Sequence, residues 1–320
     1  MEPGARKIEI FAPFGEALDL TKAILFQPFD LAKWCTIGFA AFLAGLADGT
    51  RIGIPNPTGG DFRGKATTQE GSQVNAMVQQ WFTDWLSVWV FVGVFLFVVA
   101  VVVLFSWLGS RGRFMLIDCI VRNRRAVVEP WHEWRREGNT LFGFNMALIG
   151  VNLVLIPVIA LPLLWPWLRH GDWGEFGMGK IVYLVFAALF LVVLGIGVAV
   201  LLWFAVPVMY RQRCGVIAAC RKVLQLAATY PGPMVLYVLF VAVLALGGAV
   251  LSCLATCLTC CLAALPYVGT VLLLPLYTFY YSYTLLFLRQ FGPEYDAWAG
   301  ELPAHIPPPL AEPPPIPAIG

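Results

Sequence analysis

Four cysteines close together are the densest group of metal-binding side chains in the sequence. Cys253, Cys257, Cys260 and Cys261 are separated by four, three and one residues, which places them on one face of a helix. Thiolates arranged in this way could bind a soft metal or form a disulfide. Structural zinc sites hold such ligands in short loops, however, and no acid or histidine lies nearby. Because small residues on a membrane helix mostly serve close helix packing, we interpret this face as a packing surface.

The adjacent pair His132 and Glu133 is the second candidate for chemistry. It does not form the H-E-x-x-H pattern of zinc proteases, and Trp131 and Trp134 flank it at helical spacing. Tryptophans and arginines in such a segment are typical of a membrane surface. A membrane-embedded enzyme would depend on this pair and the cysteine face alone. The sequence therefore predicts no enzyme, no bound cofactor and no metal ion.

Uncharged polar side chains within the apolar segments are the remaining candidates. Asn145 and Asn152 lie two turns apart in one segment, and Tyr280 and Tyr283 lie in another. They could line a cavity or make hydrogen bonds between helices. No Asp, Glu, Lys, Arg or His lies in the middle of a predicted span, and no phosphate-binding glycine loop is present. Proton-driven and ATP-driven transport are thus disfavoured, and a facilitative transporter or channel is the alternative function.

Composition indicates a membrane protein. Hydrophobic residues make up 59% of the 320 residues, charged residues 12%, and the mean hydropathy is +0.77. A soluble chain carries about 25% charged residues. The chain has too little polar surface to cover a water-soluble particle.

Long runs without charged residues predict the membrane spans. A helix needs about 20 apolar residues to cross the hydrocarbon core, and the charge-free runs are residues 86–108, 141–168, 181–210 and 223–288. Pro266 and Gly269 predict a turn that divides the longest run into two spans. A shorter first span extends back to Leu31, with Lys33 reaching the membrane surface.

We therefore predict an all-α transmembrane bundle with six spans. The spans lie near residues 31–47, 86–108, 141–167, 181–210, 234–262 and 268–288. Residues 1–291 form one integral membrane domain. Residues 292–320, which are rich in proline, are expected to form a disordered cytoplasmic tail.

The distribution of cations predicts the orientation. With six spans, sixteen of the 21 lysines and arginines lie on the side of both termini. The positive-inside rule places that side in the cytoplasm. The cations expected to contact lipid headgroups there are Arg111, Arg113, Arg213, Arg221 and Lys222.

Three prolines suggest an internal repeat. Pro28, Pro130 and Pro231 are separated by 102 and 101 residues, and each follows an amphipathic segment and precedes two spans. The amphipathic segments are residues 17–26, 114–128 and 216–229, and they are expected to lie in the membrane interface. The chain is thus interpreted as three two-span pseudo-repeats, although any protein built of hairpins shows some periodicity.

Three short stretches resemble uncharacterised bacterial integral membrane proteins. They are residues 27–34, 110–114 and 128–131. These proteins are similar to the membrane domain attached to some glycerophosphodiester phosphodiesterases. The resemblance implies a location in the bacterial inner membrane. It implies no hydrolase activity, since this sequence lacks the soluble domain with its acidic metal ligands.

These observations favour a non-enzymatic membrane component, either a scaffold or a lipid-interacting protein. The basic face and the amphipathic segments suggest anionic lipids of the bilayer, or another membrane protein, as partners. No feature of the sequence points to nucleic acid.

Overall fold

The chain is described here from a computed structural model. The structure describes residues 8–27, 29–46, 85–124, 128–170, 178–259 and 266–299. Within these ranges the chain is helical and contains no strand. The ten helices are α1 (Ala12–Phe26), α2 (Leu31–Leu46), α3 (Trp85–Val121), α4 (Val128–Glu133), α5 (Arg135–His170), α6 (Met178–Gln212), α7 (Val216–Thr229), α8 (Pro231–Leu258), α9 (Pro266–Leu272) and α10 (Leu274–Arg289).

Four helices, α3, α5, α6 and α8, are long and apolar enough to cross a membrane. They coincide with the second to fifth predicted spans. The helix α3 has 37 residues, or about 55 Å at 1.5 Å per residue, and the hydrocarbon core is about 30 Å thick. This helix must therefore continue well beyond the membrane at one end.

The first and last predicted spans correspond to less regular elements. The helix α2 has only 16 residues, and α9 and α10 are separate helices on either side of Leu273. The turn predicted at Pro266 and Gly269 is instead the beginning of α9. Proline is favoured at the first turn of a helix because its missing N–H would be unpaired there in any case.

Packing is concentrated at one end of the bundle, which we call the basic end because it carries Arg111, Arg122, Arg124 and Arg213. There α3 is buried from Phe114 onward through residues 114–121. The predicted amphipathic segment 114–128 is thus mainly a buried continuation of α3. The apolar residues within 114–121 are buried, which explains the irregular helical pattern of this part of the sequence.

The helix α2 packs against both α3 and α9. Its crossing with α3 is close because Gly112 has no side chain: a Cβ there would lie 2.5 Å from the backbone nitrogen of Ala44. The same packing covers Lys33, which is 5% exposed and lies within electrostatic range of Cys119. The prediction that Lys33 reaches the membrane surface is therefore wrong, since the face of α2 that carries it is enclosed.

The apolar parts of the long helices, away from the basic end, are exposed. Side chains along residues 89–104, 149–158 and 181–196 are mostly open, as are many along α8. In water such surfaces would drive aggregation, whereas a bilayer covers them. These surfaces indicate a membrane protein.

The segment after α10 folds back on the basic end. Residues 292–299, the first part of the predicted disordered tail, form turns in which Trp298 is 3% exposed. An ion pair between Arg289 and Asp296 and a hydrogen bond from Gln212 to the carbonyl of Glu294 hold these turns. Residues 300–320 lie outside the described residues.

Candidate functional site

A cluster of carboxylates and arginines lies at the basic end and joins α3, α4 and α6. We call it the ionic cluster; its members are Asp118, Arg122, Arg124, Glu129, Glu133 and Arg213. Asp118 and Arg122 lie four residues apart, and their charged side chains pair at 3.3 Å. The other contacts in the cluster join residues that the helical spacing did not connect.

Asp118 lies at the centre of the cluster, and its side chain is fully buried. Its carboxylate accepts hydrogen bonds from Nε of Arg124 at 2.8 Å, from the hydroxyl of Tyr210 at 3.1 Å and from Nε1 of Trp134 at 3.3 Å. A buried carboxylate is tolerated only when such donors replace water. Asp118 therefore fixes the turn after α4 and the end of α6 against α3.

Glu133 forms the second centre. Arg122 donates two parallel hydrogen bonds to its carboxylate, at 2.8 and 3.1 Å, and Arg124 and Arg213 donate one each to the same carboxylate. Partial burial raises the pKa of Glu133, but the hydrogen bonds and charges of Arg122 and Arg213 outweigh this effect and lower the pKa to about 2. Glu133 is consequently ionised at neutral pH, and so low a pKa makes it a poor general acid or base.

Aromatic rings complete the cluster. The guanidinium of Arg213 lies 3.4 Å above the ring of Trp134, which stacks on Tyr210 with 4.2 Å between ring centroids. Trp134 is 2% exposed, so it does not belong to an aromatic belt at the membrane surface. Arg213 adopts a positive φ of 49° where α6 ends, a strained conformation that the ion pair and ring contact help to maintain. These contacts hold the ends of α3, α4 and α6 together.

The structure describes only part of the residues that were first singled out for chemistry. His132 is exposed beside the ionic cluster. Cys253 and Cys257 are also exposed, so the predicted packing face is not covered within the described chain. Cys260 and Cys261 lie outside the described residues. In the part of the chain that the structure describes, no three metal-binding side chains come together.

The four polar residues proposed to line a cavity each form a hydrogen bond with a different partner. Asn145 donates to the hydroxyl of Ser110 at 3.3 Å, and Asn152 donates to the carbonyl of Leu148 in its own helix. Tyr280 donates to a carbonyl of α8 and Tyr283 to a carbonyl ahead of α1. All four serve local or interhelical hydrogen bonds.

The helix α7 has the residues 216–229 predicted for the third amphipathic segment. One face is buried against α6, and the neighbouring flank exposes Ile217, Arg221 and Leu224. At 100° per residue these three positions lie within about 60° of one another. An apolar flank with one cation is the pattern of a helix lying in a membrane interface.

Two grooves run along this flank. The first lies between α6, α7 and α8, has a volume of about 440 Å³ and is lined by Gly197, Val200, Leu201, Phe204, Val223, Leu224, Ala227, Met234, Val235, Val238, Leu239 and Ala242. The second lies between α5 and the start of α7, has a volume of about 660 Å³, and Arg221 is its charged residue. We call the first the apolar groove. Its volume is in the range of small-molecule sites.

The predicted headgroup contacts separate into distinct roles. Arg213 belongs to the ionic cluster, and Lys222 donates to Gln212. Arg221 remains exposed at the second groove, and Arg113 is half-buried. Arg111 is 7% exposed, which the sequence did not indicate.

Comparison with known proteins gives one match. The model of a family of unknown function, DUF7544, matches residues 9–274. The chain belongs to the DUF7544 family. No curated protein and no solved structure matches this DUF7544 chain. Its resemblance to the membrane domain of glycerophosphodiester phosphodiesterases stays a prediction.

Proposed function

We propose that the chain is a non-enzymatic, lipid-interacting component of a membrane. The observation that carries this proposal is the apolar groove, which is lined on all three sides by apolar side chains and glycine. An acyl chain gains about 0.8 kcal/mol for each buried CH₂ group. Arg221, on the exposed flank of α7, would lie near the headgroup of a lipid whose acyl chain occupies the groove.

The membrane arrangement is part of the same proposal. Six spans place α2 and the pair α9–α10 across the bilayer beside the four long helices, with the basic end and both termini in the cytoplasm. A bacterial inner membrane is the proposed location. A short helix precedes each hairpin, namely α1 before α2–α3, α4 before α5–α6 and α7 before α8–α10. This order supports the interpretation as three pseudo-repeats.

A facilitative transporter has less support. It would need polar side chains that converge on one path through the spans. Asn145, Asn152, Tyr280 and Tyr283 instead engage separate partners.

A glycine pair on α6 offers a test of the apolar groove. A Cβ at Gly197 or at Gly195 would meet no atom within 4 Å, so either position tolerates a side chain. Only Gly197 lines the groove. Native mass spectrometry of the gently extracted protein would count its bound lipids in Gly197→Leu and in the matched control Gly195→Leu.

We expect the wild type and Gly195→Leu to retain lipid at a fixed stoichiometry. Gly197→Leu fills the groove with about four additional carbon atoms, so its lipid occupancy should fall about tenfold or more. Equal retention by both variants would refute the groove as a lipid site. An empty wild-type protein with a co-purifying membrane protein would favour a scaffold without a lipid role.

A further inference from the structure

Arg111 is a buried cation that has no carboxylate partner within the part of the chain that the structure describes. Its side chain, at 7% exposure, donates from Nη2 to the amide oxygen of Asn139 at 2.9 Å. Its Nε is enclosed and has no hydrogen-bond partner. Among the residues that the structure describes, no acidic side chain forms an ion pair with Arg111. The neighbouring arginines of the ionic cluster, Arg122 and Arg124, are by contrast bound by carboxylates.

A second cation lies near Arg111 and adds to the positive charge there. Arg135, which is exposed, lies close enough to oppose the charge of Arg111 electrostatically. Burying a cation without a counter-charge is costly, and a second cation nearby adds to that cost. The ionic cluster cannot compensate it, because its carboxylates are occupied by their own arginines.

Two tryptophan rings cover the guanidinium. Its central carbon lies 4.3 Å from the ring centroid of Trp107 and 4.9 Å from that of Trp131. The rings stabilise the cation through their faces. The rings do not accept hydrogen bonds from the N–H groups that lie in the plane of the guanidinium. These N–H groups have the geometry to donate to two phosphate oxygens at once. The missing partner is therefore an anion with oxygen acceptors.

The position along α3 indicates where this anion comes from. Arg111 follows the charge-free run 86–108 by three residues. Tryptophans at the ends of an apolar run are typical of the headgroup layer of a bilayer. Arg111 is thus placed at the depth of lipid phosphates.

We propose that Arg111 and Arg135 form a phosphate-binding site, with Trp107 and Trp131 holding Arg111 and Asn139 orienting it. The ligand chemistry is a phosphate group, carried by an anionic phospholipid or by free phosphate. The lipid version rests on the proposed function, since it requires a lipid-interacting protein. The site is separate from the apolar groove, so each can fail without the other.

Charge selectivity of the bound lipid tests the site. The protein is purified with equal amounts of phosphatidylglycerol and phosphatidylcholine, and native mass spectrometry measures the ratio of the two bound lipids. We expect the wild type to prefer phosphatidylglycerol, and Arg111→Gln to lower that preference about tenfold. Arg135→Gln should lower it by a smaller factor. Arg136→Gln, an exposed arginine on the same helix, is the matched control and should leave the ratio unchanged.

A second measurement distinguishes the source of the phosphate. Thermal unfolding in an uncharged detergent is compared in sodium phosphate and in sodium chloride at equal ionic strength. Stabilisation by phosphate that Arg111→Gln abolishes would assign the site to the free anion, and a lipid preference without it would assign the site to phospholipid. If Arg111→Gln fails to fold, both measurements are made on Arg135→Gln instead, because Arg135 is exposed.

Two results would overturn the site. One is a lipid ratio and a phosphate response that are the same in the wild type, Arg111→Gln and Arg135→Gln. The other is an equal effect of Arg136→Gln, which would mean that only the overall charge matters. Total lipid retention reports on the apolar groove through Gly197→Leu, whereas the lipid ratio reports on Arg111, so the two failures are distinguishable.

Discussion

Replacement of Glu133 by glutamine should destabilise the basic end. The effect should be larger than that of the same change at Glu129, the other acid of the ionic cluster that is not fully buried. Glu133 receives hydrogen bonds from Arg122, Arg124 and Arg213 and is 27% exposed. Glutamine keeps the size of the side chain but removes the charge that holds three arginines. The expected result is a lower free energy of unfolding with the fold retained.

The magnitude follows from the pKa of Glu133. A decrease from the ordinary 4.5 to about 2 corresponds to about 3 kcal/mol at most. Solvent screening at a partly exposed site reduces the expectation to about 1–2 kcal/mol. Because the folded pKa lies below the unfolded one, this stabilisation is fully present above pH 4.5 and is lost as the pH falls toward 2. The wild type and Glu133→Gln should therefore converge in acid.

Thermal unfolding in detergent, followed by tryptophan fluorescence between pH 3 and pH 8, would measure the effect. At neutral pH we expect a decrease in Tm of about 3–6 °C for Glu133→Gln. Glu129→Gln is the matched control, since Glu129 is 69% exposed and, among the described residues, pairs with Arg124 alone. Its effect should stay below about 1 kcal/mol. Equal effects of the two variants, or a difference that grows in acid, would refute the electrostatic account.

Two further predictions concern the packing around the basic end. Gly112→Leu should separate α2 from α3, because its Cβ would lie 2.5 Å from the backbone of Ala44; size-exclusion chromatography should show aggregation that the open position Gly93→Leu lacks. Gln290→Leu should cost about 1–3 kcal/mol, because it leaves the N–H and carbonyl of Glu9 without their partner. Hydrogen exchange should then accelerate at Glu9, and unchanged protection there would contradict this reasoning.

The elements that follow from local pattern could be predicted from the sequence. The long apolar runs predict α3, α5, α6 and α8, because the bilayer requires helices of this length with no charge inside. The third amphipathic segment predicts α7 to the residue, since its apolar positions recur with the helical period and Gly215 and Pro231 lie just outside it. These signals act within one element and need no knowledge of its neighbours.

The ionic cluster could be predicted only in part. Asp118 and Arg122 lie one helical turn apart at the end of α3, so their spacing alone indicates that they pair. The contacts of Glu133 with Arg213 and of Asp118 with Tyr210 join residues 80 and 92 positions apart. They depend on how α3 and α6 approach each other, which no local pattern records. For the same reason, Trp134 was assigned to the membrane surface although it is buried in the cluster.

The location of the ionic cluster follows from the physics of the bilayer. Apolar side chains gain nothing by leaving lipid for one another, so the exposed faces of α3, α5, α6 and α8 supply little force to hold the hairpins together. Association must come from polar contacts and close packing, and buried ion pairs need donors and acceptors that cannot be placed among lipid tails. These conditions are met at the basic end, where Asp118 and Glu133 bind the arginines of α3 and α6. Because this end holds the bundle, the fold does not require the apolar groove along α6 to be filled by side chains, as the proposed lipid site demands.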